Sequence, residues 1–236
     1  VHYFRGMTDR PLALITGASR GIGAAIAHAL APTHRLLLGG RDVAALDAVA
    51  AGLPDARPWL VELTDGAALA AATADLTRLD VLVHSAGVVR VGPLSGFTAD
   101  QWRWMYEVNV VAVAELTRLL LPALRAARGQ VVLINSGAGQ NANPSWGPYA
   151  ASKFALRAFA DVLRAEEEGA GLRVTSVYPG RTDTDMQRVV RADEGGEYEP
   201  ERYLTADSVA AAVRASVLAT PDAHLTDVTI RSRPVR

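Results

Sequence analysis

A chain of 236 residues, 50 % of them hydrophobic, is long enough to bury the core of a single α/β domain. With 21 % charged residues and a net charge of -1 it carries no electrostatic footprint for nucleic acid or an anionic membrane. It has no cysteine, which excludes disulfides, thiolate catalysis and thiolate-held zinc and fits a reducing, cytoplasmic setting. Apolar runs are too short to span a bilayer, and the opening Val1–Gly6 lacks the apolar stretch of a signal peptide. Met7 reads as a natural start. Residues 1–10 are read as an N-terminal extension that begins ahead of the native chain, and residues 11–236 as one domain.

In chain order, strands are predicted at 12–16, 35–38, 57–61, 80–84, 131–135, 173–177 and 225–230. Between them fall helices at 21–31, 43–51, 67–74, 101–127, 149–168 and 207–218. Pro58 sits near the start of its strand, where a missing N–H is tolerated. The strands are near-continuous apolar runs, as in Leu12-Ala13-Leu14-Ile15, which is how strands covered on both faces look. Alternating strands and helices then predict a doubly wound parallel sheet with helices on both sides. The stretch from Gly180 to Tyr203 is polar, contains Gly195-Gly196 and Pro200, and is expected to be an irregular lid, with Arg191–Glu197 mobile in the absence of ligand.

Directly after the first strand the chain reads Thr16-Gly17-Ala18-Ser19-Arg20-Gly21-Ile22-Gly23 and runs into a helix. A pyrophosphate at such a turn needs close backbone approach and the positive end of a helix, so bulky side chains are excluded. The second strand ends in Gly39-Gly40-Arg41-Asp42. Asp42 has the spacing of a carboxylate that bonds the ribose of NAD, but it also stands where the next helix wants an N-cap. Arg41 and Arg20 together could close on the 2′-phosphate of NADP, and NADP(H) is the favoured reading over NAD(H).

Tyr149 and Lys153 are four residues apart on a predicted helix and share one face, and Ser136 stands just beyond the fifth strand. A tyrosine can deliver a proton to a carbonyl oxygen if its pKa falls from about 10 toward neutrality, and a lysine ammonium beside it would do this. Ser136 could hold the substrate oxygen. Each residue alone has a plainer reading, as a core ring, a solvated charge or a turn serine; with the glycine turn they point to hydride chemistry.

These motifs resemble the short-chain dehydrogenase/reductase family, in its branch with a TGxxxGxG turn and a YxxxK pair, from Leu12 to Ile230. The resemblance implies a seven-stranded Rossmann sheet ordered 3-2-1-4-5-6-7. It implies that Ser136 positions the substrate, that Tyr149 is the acid/base and that Lys153 also binds the nicotinamide ribose. Asn109 matches the helix asparagine of a proton relay through water and the lysine. His84-Ser85-Ala86-Gly87 stands for Asn-Asn-Ala-Gly at the adenine ribose, with both asparagines replaced. Glu62-Leu63 resembles the pair that binds adenine, with Asp65 as a competing carboxylate. Pro179 and Gly180 with Thr182 and Thr184 resemble the segment that seats the nicotinamide and pyrophosphate, Thr184 being the closer match.

His28, His34, His84 and His224 have no metal-ligand spacing, and no metal site is expected. Val88, Val89, Gln140, Asn141, Trp146, Tyr149 and the segment around Met186 are expected to line the substrate pocket. The expected activity is reduction of a small or medium carbonyl compound by NADPH, reversible as an alcohol dehydrogenase. The alternatives are an NAD-linked dehydrogenase using Asp42, or a dinucleotide sensor without turnover. No nucleic acid or membrane partner is expected. The resemblance implies a homodimer or homotetramer built on the two long helices.

Overall fold

The computed structural model describes residues 10–233. The expected N-terminal extension lies outside them apart from Arg10, whose guanidinium donates to the carbonyls of Ala31 and His34. Seven strands form one parallel sheet: β1 (Leu12–Thr16), β2 (Arg35–Gly40), β3 (Ala56–Leu60), β4 (Val81–His84), β5 (Gln130–Ile134), β6 (Arg173–Pro179) and β7 (Asp227–Ile230), in the order 3-2-1-4-5-6-7. The register pairs Leu14 with Leu37 on one side and Leu82 on the other, so β1 lies at the centre, where the strand order reverses. That reversal opens a crevice at the carboxyl edge, between β1 and β4.

The helices are α1 (Gly21–Leu30), α2 (Val43–Ala51), α3 (Gly66–Thr73), α4 (Ala99–Tyr106), α5 (Ala112–Ala127), α6 (Gly147–Glu167), α7 (Asp185–Asp193) and α8 (Ala206–Val217). Alternate residues of each central strand serve opposite layers, as a period of two requires. Leu12 and Leu14 pack with Leu69 of α3, Leu116 and Leu120 of α5 and Leu156 of α6. Ala13 and Ile15 pack with Ile26 and Leu30 of α1, Leu46 of α2 and Val213 of α8. β1, β4 and β5 are buried along their whole length, which is why their sequences do not alternate. β3 pairs only with β2, so Pro58 lies in an edge strand.

Three expectations need correction. The helix predicted over 101–127 is two helices joined by a π-helical turn, Glu107–Val111, which contains Asn109. Its start lies earlier, because Thr98 and Gln101 form a reciprocal capping box. The stretch expected to be an irregular lid carries α7, capped by the Thr184 hydroxyl, which accepts from the Gln187 N–H at 3.3 Å. Within that stretch Glu194 accepts hydrogen bonds from both Arg181 and Arg191.

A Cβ at Gly23 would stand 2.2 Å from the carbonyl oxygen of Gly17, whereas one at Gly66 meets nothing within 4 Å. Gly23→Ala must therefore move backbone and is expected to destabilise by more than the ~1–3 kcal/mol of an ordinary overpacked core site. Gly66→Ala, on the first turn of α3, is expected to hold or raise stability by up to ~1 kcal/mol. Denaturant unfolding of the two variants side by side checks both.

Candidate active site

The sequence-predicted groups gather at the carboxyl edge of β1, β4, β5 and β6. Gly17 and Gly21 have φ of 66° and 56°, the left-handed region that glycine tolerates. A Cβ at Gly17 would come within 2.8 Å of the Ala86 Cα, so the turn lies directly on the segment after β4. The Thr16 hydroxyl binds that segment, accepting from the N–H groups of Ser85 and Ala86 at 3.1 Å each. Ser19 and Arg20 complete the turn, with Arg20 exposed and its Nε 3.5 Å from Asp185. Helices α2, α3, α4, α7 and α8 each have a side-chain cap, but α1 has none and no acidic residue in its first turn. Its first N–H groups and the positive end of its dipole are thus left for an anion, which is what a bound pyrophosphate supplies.

At the ends of β2 and β3, Arg41 Nη1 donates to Glu62 Oε2 at 3.1 Å, and Glu62 Oε1 accepts from Thr64. Asp42 accepts from Ala45 N–H at 3.0 Å and caps α2; Asp65 accepts from Ala68 N–H at 3.0 Å and caps α3. Both competing carboxylates are therefore engaged by helix ends. Leu63 packs half-buried against the core.

Helix α6 carries Tyr149 and Lys153, both buried, on the face toward β5. Lys153 Nζ donates to the Ile134 carbonyl at 3.0 Å and lies 5.8 Å from the centre of the Tyr149 ring. Asn135 joins the two elements: its Nδ2 donates to the Lys153 carbonyl at 3.1 Å and its Oδ1 accepts from Ser136 N–H at 2.8 Å. Nothing in the sequence reading singled it out, although it directly precedes Ser136. Asn109 Oδ1 accepts from Val88 N–H at 2.9 Å, and its Nδ2 donates to the Val88 carbonyl and to Ser152 Oγ. Gly87 lies between Asn109 and Lys153, with its Cβ position 3.3 Å from Asn109 Oδ1 and 3.9 Å from Lys153 Nζ.

Burial governs the protonation of this cluster. It pushes the Tyr149 hydroxyl above its ordinary value, and the hydrogen bond with Ser136 pulls the other way without winning. The same burial brings Lys153 down to about 8. Lys153, expected to lower Tyr149, has its ammonium anchored on the Ile134 carbonyl. His84 is buried with Nε2 2.9 Å from Thr117 Oγ1, and desolvation holds it neutral by lowering it to about 3. No cluster of metal-ligating groups occurs among the described residues.

One cavity of about 350 Å³ runs from Ile22 and Ser85–Gly87 past Ser136, Tyr149 and Lys153 to Pro179, Gly180, Thr182 and Thr184. Thr184 faces the glycine turn, its Cγ2 3.3 Å from the Gly21 Cβ position. Val88, Val89, Asn141, Trp146 and Met186 line the cavity as expected. Gln140 does not; its Nε2 donates to Thr229 and its Oε1 accepts from Arg231. Arg181 and Arg231, which no sequence motif marked, line it too.

The family model described as short chain dehydrogenase matches residues 11–195. An uncharacterised short-chain type dehydrogenase/reductase of Sinorhizobium fredii is 34 % identical over 224 residues, covering 92 % of this chain and 88 % of the relative. Other curated relatives are longer: the chain spans 62 to 65 % of three of them and 15 % of a fourth. An alcohol dehydrogenase from Thermococcus sibiricus complexed with 5-hydroxy-NADP superposes with a TM-score of 0.87 at 27 % identity, over 97 % of this chain and 99 % of that one. A metagenomic short-chain oxidoreductase in complex with NADP gives 0.79 at 31 % identity, over 94 % and 97 %. No helix among the described residues is long and apolar enough to cross a membrane.

Lys153 is the only lysine in the chain, so its titration can be followed without ambiguity. With ¹³C-lysine labelling, the Cε shift of the cofactor-free protein is expected to titrate with a midpoint near 8. A midpoint at the ordinary lysine value of about 10.4 would mean that the amine is solvated and not fixed in the site.

Proposed function

The chain belongs to the short-chain dehydrogenase/reductase family, and from that premise we propose that this oxidoreductase transfers hydride between NADP(H) and a small or medium carbonyl or alcohol substrate, with Tyr149 as general acid/base. The observation that carries this reading is one cavity that runs from Ile22 of the glycine turn to Ser136, Tyr149 and Lys153. A bound nicotinamide would supply the hydride and, once oxidised, a positive charge. Ser136 holds the carbonyl oxygen while Tyr149 passes it a proton. With burial raising Tyr149, bringing it near neutrality takes at least ~4 kcal/mol, at about 1.36 kcal/mol per pKa unit. A cation ~4 Å away at an effective dielectric near 20 supplies roughly that much, so Lys153 and the cofactor charge are needed together. Asn109 has its amide committed to Val88 and Ser152, so its part in a relay is to hold the π-turn against Gly87 and Lys153 while water carries the proton onward.

For the dinucleotide, the uncapped start of α1 with Gly17, Gly21, Ile22, Gly23 and Thr184 suits the pyrophosphate. Ser85, Ala86 and Gly87 suit the adenosine and ribose side, with Leu63 and Glu62 beside the base. Arg41 and Arg20 suit the 2′-phosphate. Their present partners, Glu62 and Asp185, form exposed ion pairs of the kind worth about 0–1 kcal/mol, which a phosphate can displace. Asp42, committed to capping α2, is a poorer ribose ligand. The NADP compounds bound by two similar structures point the same way. Exposed apolar side chains, Trp104 on α4, Val111 in the π-turn, and Phe154 and Val162 on α6, suit a homodimer or homotetramer built on these helices. The absence of cysteine suits a cytoplasmic setting.

Thermal shift with NADPH and NADH in parallel is expected to favour NADPH. Arg41→Ala should weaken NADPH binding roughly 10–100-fold, the worth of one charge-assisted hydrogen bond, and NADH binding little. Equal losses for the two would assign Arg41 no phosphate. Tyr149→Phe should keep NADPH binding and lose at least ~10²-fold in kcat, as removal of a general acid does; turnover within a few-fold of the parent would remove Tyr149 from the mechanism.

A further inference from the structure

The catalytic cavity is lined by Lys153, Arg181 and Arg231 and, among the described residues, by no carboxylate. Lys153 is engaged by the Ile134 carbonyl, deep beside Tyr149. Arg181 is largely neutralised, because both its terminal nitrogens donate to Glu194. Arg231 differs. It follows β7 and meets only neutral acceptors: Nη1 donates to the carbonyls of Tyr178 and Ile230 at 3.0 and 3.2 Å, and Nη2 donates to Gln140 Oε1 at 3.0 Å. No Asp or Glu among the described residues forms an ion pair with it.

A guanidinium has five N–H donors. Of those of Arg231, three have acceptors, which leaves Nε–H and one Nη2–H. That Nε/Nη2 edge is the one that grips a carboxylate in two other places in this protein, Arg118 on Glu115 and Arg125 on Glu167. Planar pairing of this kind suits carboxylate and phosphate oxygens alike. The carbonyl bonds through Nη1 hold the head group in place, so little further ordering is needed when an anion binds.

The position is equally specific. The Arg231 guanidinium lies 3.5 to 3.6 Å from where a Gly137 Cβ would be, one residue beyond Ser136. Arg231 also lines a second cavity of about 460 Å³ that shares Gly180 and Arg181 with the first. Arg181, Arg191, Arg202 and Arg231 around that second cavity are opposed by Glu194 and Glu199 alone among the acids paired with them, a net of two positive charges. A further donor without an acceptor, the buried Nε2 of Gln187, belongs to the lining of the first cavity. A first cavity rich in donors and free of carboxylates, beside a second whose one lining carboxylate, Glu199, is paired with Arg202, favours a ligand that brings negative acceptor oxygens.

We propose that Arg231 is a substrate-binding residue and that the substrate is an oxo acid, a carbonyl compound with a carboxylate or phosphate a few bonds from the reacting carbon. The carbonyl lies at Ser136 and Tyr149, and the anionic group meets the Nε/Nη2 edge of Arg231 at the junction of the two cavities. This deepens the hydride-transfer reading and rests on it for the placing of the carbonyl, but the anion site itself stands on Arg231.

The test uses the full chain with NADPH and matched pairs of probes: 2-, 3- and 4-oxo carboxylates of five or six carbons, each against its methyl amide, and dihydroxyacetone phosphate against dihydroxyacetone. Turnover and calorimetric binding are measured for both members of each pair. At least one anionic probe is expected to surpass its neutral partner roughly 10–100-fold in kcat/KM and in affinity, the worth of a charge-assisted bidentate contact. Whether a carboxylate or the phosphate does so distinguishes the two sources of the anion. In Arg231→Gln that anionic-to-neutral ratio should collapse toward one, and Arg231→Lys should restore most of it. A merely structural role would lower both members together and leave the ratio unchanged, which overturns the proposal, as do neutral probes that match the anionic ones or no binding of any acid. Acids that bind through Arg231 without being reduced would uphold the anion site and refute the hydride-transfer reading. Neutral ketones reduced as well as the acids would do the reverse.

Discussion

The contact on which this molecule depends is the approach of the first strand's exit to the fourth. Gly17 lies so close to Ala86 that no side chain fits between them, and the Thr16 hydroxyl accepts from both N–H groups of Ser85-Ala86. These contacts lie at the point where the strand order reverses, so they fix the width of the crevice. On one side the crevice leaves the start of α1 without a cap. On the other, Gly87 brings the same segment against Asn109 and Lys153. The glycine turn and the Tyr149–Lys153 cluster are thus two ends of one short stretch, held by the hydroxyl of one threonine.

The cluster beyond it is held by amides. Asn135 bonds the backbone of Ser136 and of Lys153, and Asn109 bonds both polar backbone groups of Val88. Neutral amides can tie three elements together in a buried site without adding a charge that would compete with the lysine. Lys153 is then, among the described residues, the one buried cation beside a buried phenol, and both protonation shifts run in the direction that desolvation dictates. On the proposed mechanism a tyrosine raised by burial needs additional positive charge before it exchanges its proton near neutrality, and an oxidised nicotinamide would bring it.

Much of the fold was legible because the sheet is buried on both faces: uninterrupted apolar runs such as Val81-Leu82-Val83 leave little choice of element, and the glycine turn fixed where the first helix begins. Helix starts were less well read. Thr98 with Gln101 and Thr184 with Gln187 both carry the spacing of a hydroxyl cap and an amide three residues on, and attention to that spacing would have found the true start of α4 and the existence of α7. The π-turn had no such mark. Its valines fit an α-helix as well, and the change of register becomes visible only when Asn109 reaches Val88 across the crevice. In the site, Ser136, Tyr149 and Lys153 stood out through spacing. Asn135 and Arg231 act through contacts between residues far apart in sequence, with Lys153 and with Tyr178 and Gln140, and no local pattern carries those.

The same distinction separates what this fold holds constant from what it leaves free. Ser136 follows β5, and Tyr149 and Lys153 sit on α6, where register places them rigidly. Arg231 lies past the last strand, and Arg181 opens the segment before α7, where residues can change without disturbing the sheet. Charge is distributed accordingly: the cavity has no carboxylate near the reacting end, while Glu194 and Glu199 sit outside it and temper the arginines at its mouth. Had the acids lined the cavity, they would have stabilised a protonated Tyr149 and opposed its use as a base. Keeping them outside leaves the charge lining the cavity positive, which on the proposed reading lowers the cost of phenolate formation within and draws a negatively charged substrate from the mouth toward Ser136.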